Sequence, residues 1–152
     1  MKKLLVSWFD VEDMCYNIIC NTKNINSDNF IISIGKGGLV PGVIIANKLG
    51  AKRLYNWGIS SYDGNNQSSS MIPYQSINMD DMKEQQILIV DDILDTGNTF
   101  KYIHDVFTEH EITNITYVTL HKKLDITNQY TPPNHSYATT AQADQWIYYP
   151  WE

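Results

Sequence analysis

Residues 87–99 read ILIVDDILDTGNT: an apolar run, two adjacent acids, a third acid after two apolar residues, then Thr-Gly-Asn-Thr. Each part has a chemical use. Asp91 and Asp92 stand at the carboxyl end of a predicted strand, where open α/β sheets bind their ligands. Carboxylates there can accept from sugar hydroxyls, or hold Mg2+ directly or through water. Thr96, Gly97, Asn98 and Thr99 open a helix, whose first turn offers unpaired N–H groups and the positive end of the dipole. Gly97 permits the tight turn that aims those groups at one point, and the threonine hydroxyls add donors. Such a turn is a cradle for a phosphate. One aspartate alone would serve equally as a strand end or a helix cap. Three acids at this spacing, joined to that turn, point to a site.

A second glycine-rich segment, IGKGGLVP at residues 34–41, surrounds Lys36. It is not a Walker motif, which would need Gly where Phe30 stands and Ser or Thr where Gly37 stands. Nor is it the dinucleotide fingerprint, which would need Gly or Ala in place of Val40. His104, His110, His121 and His135 have no metal-ligand spacing. His121 is set apart because it precedes Lys122 and Lys123 at a predicted strand end.

The elements that must position these residues alternate. Val11, Met14, Cys15, Ile18 and Ile19 recur at helical spacing after Asp10, a predicted N-cap. Phe30–Ile34 reads as a buried strand, and residues 40–49 as a helix with Pro41 in its first turn and Gly50 past its end. Residues 53–62, 87–90 and 115–120 read as strands. Residues 99–107 read as a helix with Phe100, Ile103 and Phe107 on one face. Residues 63–85 are polar and aperiodic, which suggests a functional flap rather than a plain connector. The tail WIYYPW (146–151) is aromatic enough to cover a pocket or an interface. Alternating helices and strands predict an α/β fold with a mainly parallel, twisted sheet flanked by helices.

The chain has 152 residues, one domain's worth, with 43% hydrophobic and 18% charged residues. A net charge of -6 argues against nucleic acid, which demands a basic footprint. No apolar run approaches the ~20 residues of a membrane span, and no signal-like segment opens the chain. Cys15 and Cys20 fit neither a zinc nor a CxxC motif, and two such thiols suggest a reducing, cytoplasmic setting.

Residues 87–99 closely resemble the phosphoribosyl pyrophosphate motif of type I phosphoribosyltransferases. The resemblance extends to residues 34–41, similar to the pyrophosphate loop of the family's purine enzymes. ISSYD (59–63) is similar to their mobile loop, and ADQWIYYPWE (143–152) to the base-binding hood of the xanthine-guanine type. It implies one domain, 1–152, with a flap at about 63–85 and a small hood at about 124–152. It further implies transfer of a phosphoribosyl group to a 6-oxopurine: guanine, xanthine or hypoxanthine. Asp95, Thr96, Gly97, Asn98 and Thr99 would then wrap the 5-phosphate, and Asp91 and Asp92 would face the ribose hydroxyls. Asp92 would join the shell of a Mg2+ cofactor, and Asp95 would act as general acid or base near purine N7. Lys36 and Gly37 would hold pyrophosphate, where the family often has a cis peptide. Lys123, with Lys122 as its rival, would contact the 6-oxo group, and Trp146 and Ile147 would sandwich or edge the base. A homodimer or homotetramer is the family's usual assembly.

Two departures stand out. Lys36 replaces the arginine of the xanthine-guanine type, keeping charge but losing the bidentate fork. No Arg or Lys occurs between Arg53 and Lys83, although the family's flap supplies an arginine to pyrophosphate. That gap keeps a second expectation open: a non-catalytic sensor of phosphoribosyl pyrophosphate or of purine nucleotides.

Overall fold

The computed structural model describes residues 1–61 and 71–152. In chain order the elements are β1 (Lys2–Leu5), α1 (Trp8–Asn21), β2 (Phe30–Ile34), α2 (Leu39–Leu49), β3 (Arg53–Trp57) and β4 (Ile59–Ser61). There follow β5 (Met71–Pro73), a 3-10 turn (Met79–Met82), β6 (Ile87–Leu94), α3 (Asn98–Glu109), β7 (Ile115–Lys123), β8 (His135–Ala141) and β9 (Gln145–Tyr148). Strands β3-β2-β6-β7-β8 form the central sheet in that order, and every neighbouring pair is parallel. The expected α/β architecture is present.

Strand alternation divides the core in two. Ile32, Ile89 and Tyr117 pack against Phe100, Ile103 and Phe107 of α3 on one face. Ile31, Leu88, Val90 and Val118 pack against Val11, Cys15 and Ile18 of α1 and Ile45 of α2 on the other. A sheet covered on both faces explains why FIISI is buried throughout. Each large apolar side chain fully buried on α3 contributes roughly 1.5–3 kcal/mol. Phe100 is 1% exposed, so this packing fixes the helix that begins at the phosphate-type turn.

Several local expectations change. The N-cap of α1 is Ser7; Asp10 is the third helical residue and completes a capping box by accepting from the Ser7 N–H (2.8 Å). The expected strand 53–62 breaks at Gly58, whose carbonyl accepts from the N–H groups of Tyr74 and Gln75 (2.8 and 3.3 Å). A Cβ on Gly58 would overlap the Tyr74 ring, which packs directly against this break. Within the expected flap, residues 63–70 lie outside the described residues. The rest is not structureless: β5 pairs with β4, and Met82 is buried. Strand β6 runs four residues beyond the predicted 87–90, carrying Asp91 and Asp92 inside it. β8 falls within the stretch expected as hood but pairs with β7 at the edge of the main sheet. β1 beside β9 forms a separate two-stranded sheet, as β4 and β5 do. Among the described residues every peptide bond is trans, so the cis peptide expected near Lys36 and Gly37 is absent. Among the described helices none is long and apolar enough to cross a membrane.

Candidate active site

Gly97 has φ +83, and a Cβ on it would overlap the Tyr130 carbonyl, so only glycine fits the turn before α3. The Tyr130 N–H donates to the Thr96 carbonyl (2.9 Å), pinning the 124–130 loop to this turn. Asp91, Asp95, Thr96, Gly97, Asn98 and Thr99 line one cavity of about 150 Å³ at the N-terminus of α3. Anion-sized space, the first N–H groups of α3 and the threonine hydroxyls meet here, with the Asn98 N–H 3.4 Å from Thr96 Oγ1. Larger depressions of about 460 and 410 Å³ lie by α1 and beneath Tyr74, but neither carries the motif residues. Chemistry, not size, marks the site.

Asp92 is 9% exposed, and the Asp92 N–H donates to Asp91 Oδ1 (2.9 Å). Burial and then the adjacent Asp92 charge push Asp91 well above the usual carboxylate range, and burial pushes Asp92 up to about 6. Among the described residues no Lys or Arg pairs with either group. Two crowded carboxylates without a cation suit Mg2+, which takes one or two protein carboxylates and fills its octahedron with water and substrate oxygens. Among the described residues no three His, Cys, Asp or Glu side chains converge on a metal position, so a closed protein cage is not formed.

The pyrophosphate-type loop abuts Asp92. A Cβ on Gly37 would lie 2.5–2.7 Å from the Asp92 carboxyl atoms, so the loop backbone rests directly on that group. Gly35, at φ +53, starts the turn, and its carbonyl accepts from Asn56 Nδ2 (2.8 Å). Lys36 is exposed and, among the described residues, has no ionic partner.

Lys123 Nζ lies 3.3 Å from Asp95 Oδ2, with the lysine side chain 10% exposed and the aspartate 48%. Lys122 instead lies over the Tyr137 ring (5.7 Å). The structure therefore brings Lys123, and not its rival, to the third acid. Gln129 fixes this pair from behind: its Nε2 donates to the carbonyls of Asp95 (2.6 Å) and Lys123 (2.9 Å). Gln129 and Asn56 went unnoticed in the sequence, where a lone amide bonding distant carbonyls leaves no local signal. Trp146 is half-exposed on β9, whereas Ile147 is buried in the core beside α1. The Ile147 side chain therefore serves packing, and its main chain lies in register with Leu4 of β1.

Tyr149, just past β9, donates its hydroxyl proton to the Asp92 carbonyl (3.0 Å), and His121 Nδ1 lies 2.9 Å from that hydroxyl. Burial pushes His121 down to about 4, so the ring is neutral. Cys15 is buried, with its thiol pushed up to about 12 by burial, which leaves it unreactive; Cys20 is exposed.

A purine phosphoribosyltransferase from Pyrococcus horikoshii superposes with TM-score 0.82 at 24% identity, covering 100% of this chain and 95% of that one. A hypothetical protein from Neisseria gonorrhoeae with bound ppGpp gives 0.78 at 21%, covering 99% and 89%. The Helicobacter pylori xanthine-guanine-hypoxanthine phosphoribosyltransferase gives 0.71 at 17%, covering 99% and 94%. At these identities the likeness is one of fold. The model of the phosphoribosyl transferase domain family matches residues 5–151. The chain belongs to that family, with the type I phosphoribosyltransferase fold that these purine phosphoribosyltransferases share.

Proposed function

We propose that this protein transfers the phosphoribosyl group of phosphoribosyl pyrophosphate to a 6-oxopurine, giving the nucleoside monophosphate and pyrophosphate. Family membership supports phosphoribosyl transfer in general. The observation that favours a 6-oxopurine is Lys123, held 3.3 Å from Asp95 beside the phosphate cradle. An ammonium donates and cannot accept, so it suits an oxo group and opposes an amino group at the same position.

In this reading the N–H groups and hydroxyls of residues 96–99 hold the 5-phosphate, while Asp91 and Asp92 accept from the ribose hydroxyls. Lys36 and the main chain at Gly37 receive pyrophosphate, and Trp146 covers the purine with the Ile147 backbone at its edge. Purine N9 forms a bond to ribose C1 as the C1–O bond to pyrophosphate breaks, and pyrophosphate leaves with the electron pair. Asp95, placed near N7, takes up the proton that the purine releases. Mg2+, when bound with Asp92 in its shell, neutralises charge on the leaving group. No covalent enzyme intermediate is required; catalysis rests on positioning and electrostatics. We read the functional form as a homodimer or homotetramer, in keeping with Leu5 and Phe9 being 77% and 79% exposed. Sedimentation of the purified protein tests this, and a monomer at working concentration excludes it.

The deciding experiment is product formation from guanine, xanthine or hypoxanthine with phosphoribosyl pyrophosphate and Mg2+, lost in Asp95→Ala. A second reading, a non-catalytic sensor of the sugar pyrophosphate or of purine nucleotides, is favoured by the absence of Arg and Lys between Arg53 and Lys83. The Neisseria protein with bound ppGpp is a relative in fold that holds such a ligand. Tight calorimetric binding of phosphoribosyl pyrophosphate or ppGpp without turnover of any base supports the sensor.

A further inference from the structure

Beyond Val90, where its pairing with β2 ends, β6 is flanked among the described strands only by β7. The β7 register pairs Asp91 with Thr119 and Ile93 with His121, and steps over Asp92. The Asp92 carbonyl accepts from 57 residues away, from the Tyr149 hydroxyl. A carbonyl cannot donate, so the single phenol proton is committed to it. The phenol oxygen then accepts from His121, which fixes the neutral imidazole as the Nδ1–H tautomer. Tyr149, His121 and Asp92 are 4%, 3% and 9% exposed, so each unmade bond would be costly. The Tyr149 ring is held independently of its hydroxyl, stacked on Trp151 at 4.8 Å and 6°.

We propose that Tyr149, seated by His121, is a positioning residue for the transfer reaction. It ties the C-terminal segment bearing Trp146 and Ile147 to the strand bearing Asp91 and Asp92, so that the base cover and the ribose-facing carboxylates keep one register. The inference rests on the roles given above to Asp92 and Trp146. Tyr149 touches no reacting atom; it acts through the Asp92 main chain.

Tyr149→Phe keeps the stacked ring and removes only the donor. It is expected to raise the KM for phosphoribosyl pyrophosphate and to speed hydrogen exchange at amides 92–95, each by about tenfold. Exchange in the α3 core should not change. His121→Leu, which removes the donor to the phenol, should give a smaller effect of the same kind, and His121→Asn, which restores an N–H, should recover most of it. The double variant Tyr149→Phe/His121→Leu should resemble Tyr149→Phe alone. Wild-type exchange at 92–95 in Tyr149→Phe overturns the proposal, as does exchange raised uniformly across the fold or additive effects in the double variant. If the wild-type protein turns over no base, the 6-oxopurine reading fails by itself, and the exchange measurement still decides the role of Tyr149.

Discussion

Gly37→Ala tests the joint between the two halves of the proposed site. The added methyl would lie 2.5, 2.6 and 2.7 Å from Asp92 Oδ2, Cγ and Oδ1. Ordinary contact is about 3.4 Å or more, so the overlap is about 0.8 Å and cannot be absorbed in place. Gly37 has no left-handed φ, so alanine adds no backbone strain and the perturbation is this contact alone. Because Asp92 is buried, either its carboxyl rotates off the ribose position or the 35–38 turn lifts away from it. Each outcome separates the pyrophosphate and ribose contacts by roughly 1 Å, a displacement of the size that costs about 10²-fold in rate. That corresponds to about 2.7 kcal/mol of transition-state stabilisation. Overpacking should also lower stability by about 1–3 kcal/mol. Gly50→Ala is the control: its φ of +71 makes alanine strained, but its nearest neighbour is Ser27 Cβ at 4.0 Å, far from the motif residues. Initial rates with phosphoribosyl pyrophosphate, measured beside thermal midpoints, separate the two. Gly37→Ala should lose about two orders of magnitude in kcat/KM, while Gly50→Ala loses stability and keeps kcat/KM. A folded Gly37→Ala protein within twofold of wild type refutes the contact between loop and carboxylate as a catalytic feature.

Asp92→Asn should trade activity for stability. The folded-state pKa of Asp92 is raised from 3.8 to about 6, so its favourable contribution is full below pH 4 and is lost as pH rises to 6. Above that, the buried charge costs about 3 kcal/mol, and removing it should raise the thermal midpoint by about 6–12 °C at pH 8 but not at pH 4. A midpoint difference that does not depend on pH contradicts this. His121 and His135, both pushed down to about 4 by burial, act in the opposite sense, costing stability as pH falls from 6.5 to 4. Comparing variant and wild type at each pH cancels their contribution. Lys123→Met should raise the KM for guanine or hypoxanthine by about 10–100-fold with little change in the KM for phosphoribosyl pyrophosphate, since it removes a charged donor; Lys122→Met should alter neither. Gln129→Leu unpairs the carbonyls of Asp95 and Lys123 and should lower kcat about tenfold, and an unchanged kcat would show that this clamp is idle.

The parts legible in the sequence were contiguous. Residues 87–99 hold strand, acids and phosphate turn in one stretch, and the apolar runs of β2, β6 and β7 mark the sheet without help from distant residues. The α1 cap was displaced because Trp8 and Phe9 are exposed, so the apolar period begins only after Asp10. β8 was obscured by its composition: all but one of the side chains of HSYATTA are partly or fully exposed, and its place is set by pairing with β7. Asn56, Gln129 and Tyr149 act on main-chain carbonyls 21, 34 and 57 residues away. Such bonds exist only once the sheet has brought those segments together. Lys122 and Lys123 differ by one position, hence by face, and only the pairing of β7 with its neighbours sends one to Asp95 and the other to Tyr137.

The most direct test is a single assay of the purified protein with phosphoribosyl pyrophosphate and a panel of guanine, xanthine, hypoxanthine, adenine and uracil, with Mg2+ and with chelator, following nucleotide and pyrophosphate together. Equimolar nucleoside monophosphate and pyrophosphate are expected from at least one 6-oxopurine, dependent on Mg2+, with adenine and uracil inert and Asp95→Ala silent. Turnover of adenine or uracil in preference to every 6-oxopurine, or binding of phosphoribosyl pyrophosphate with no product from any base, would contradict this.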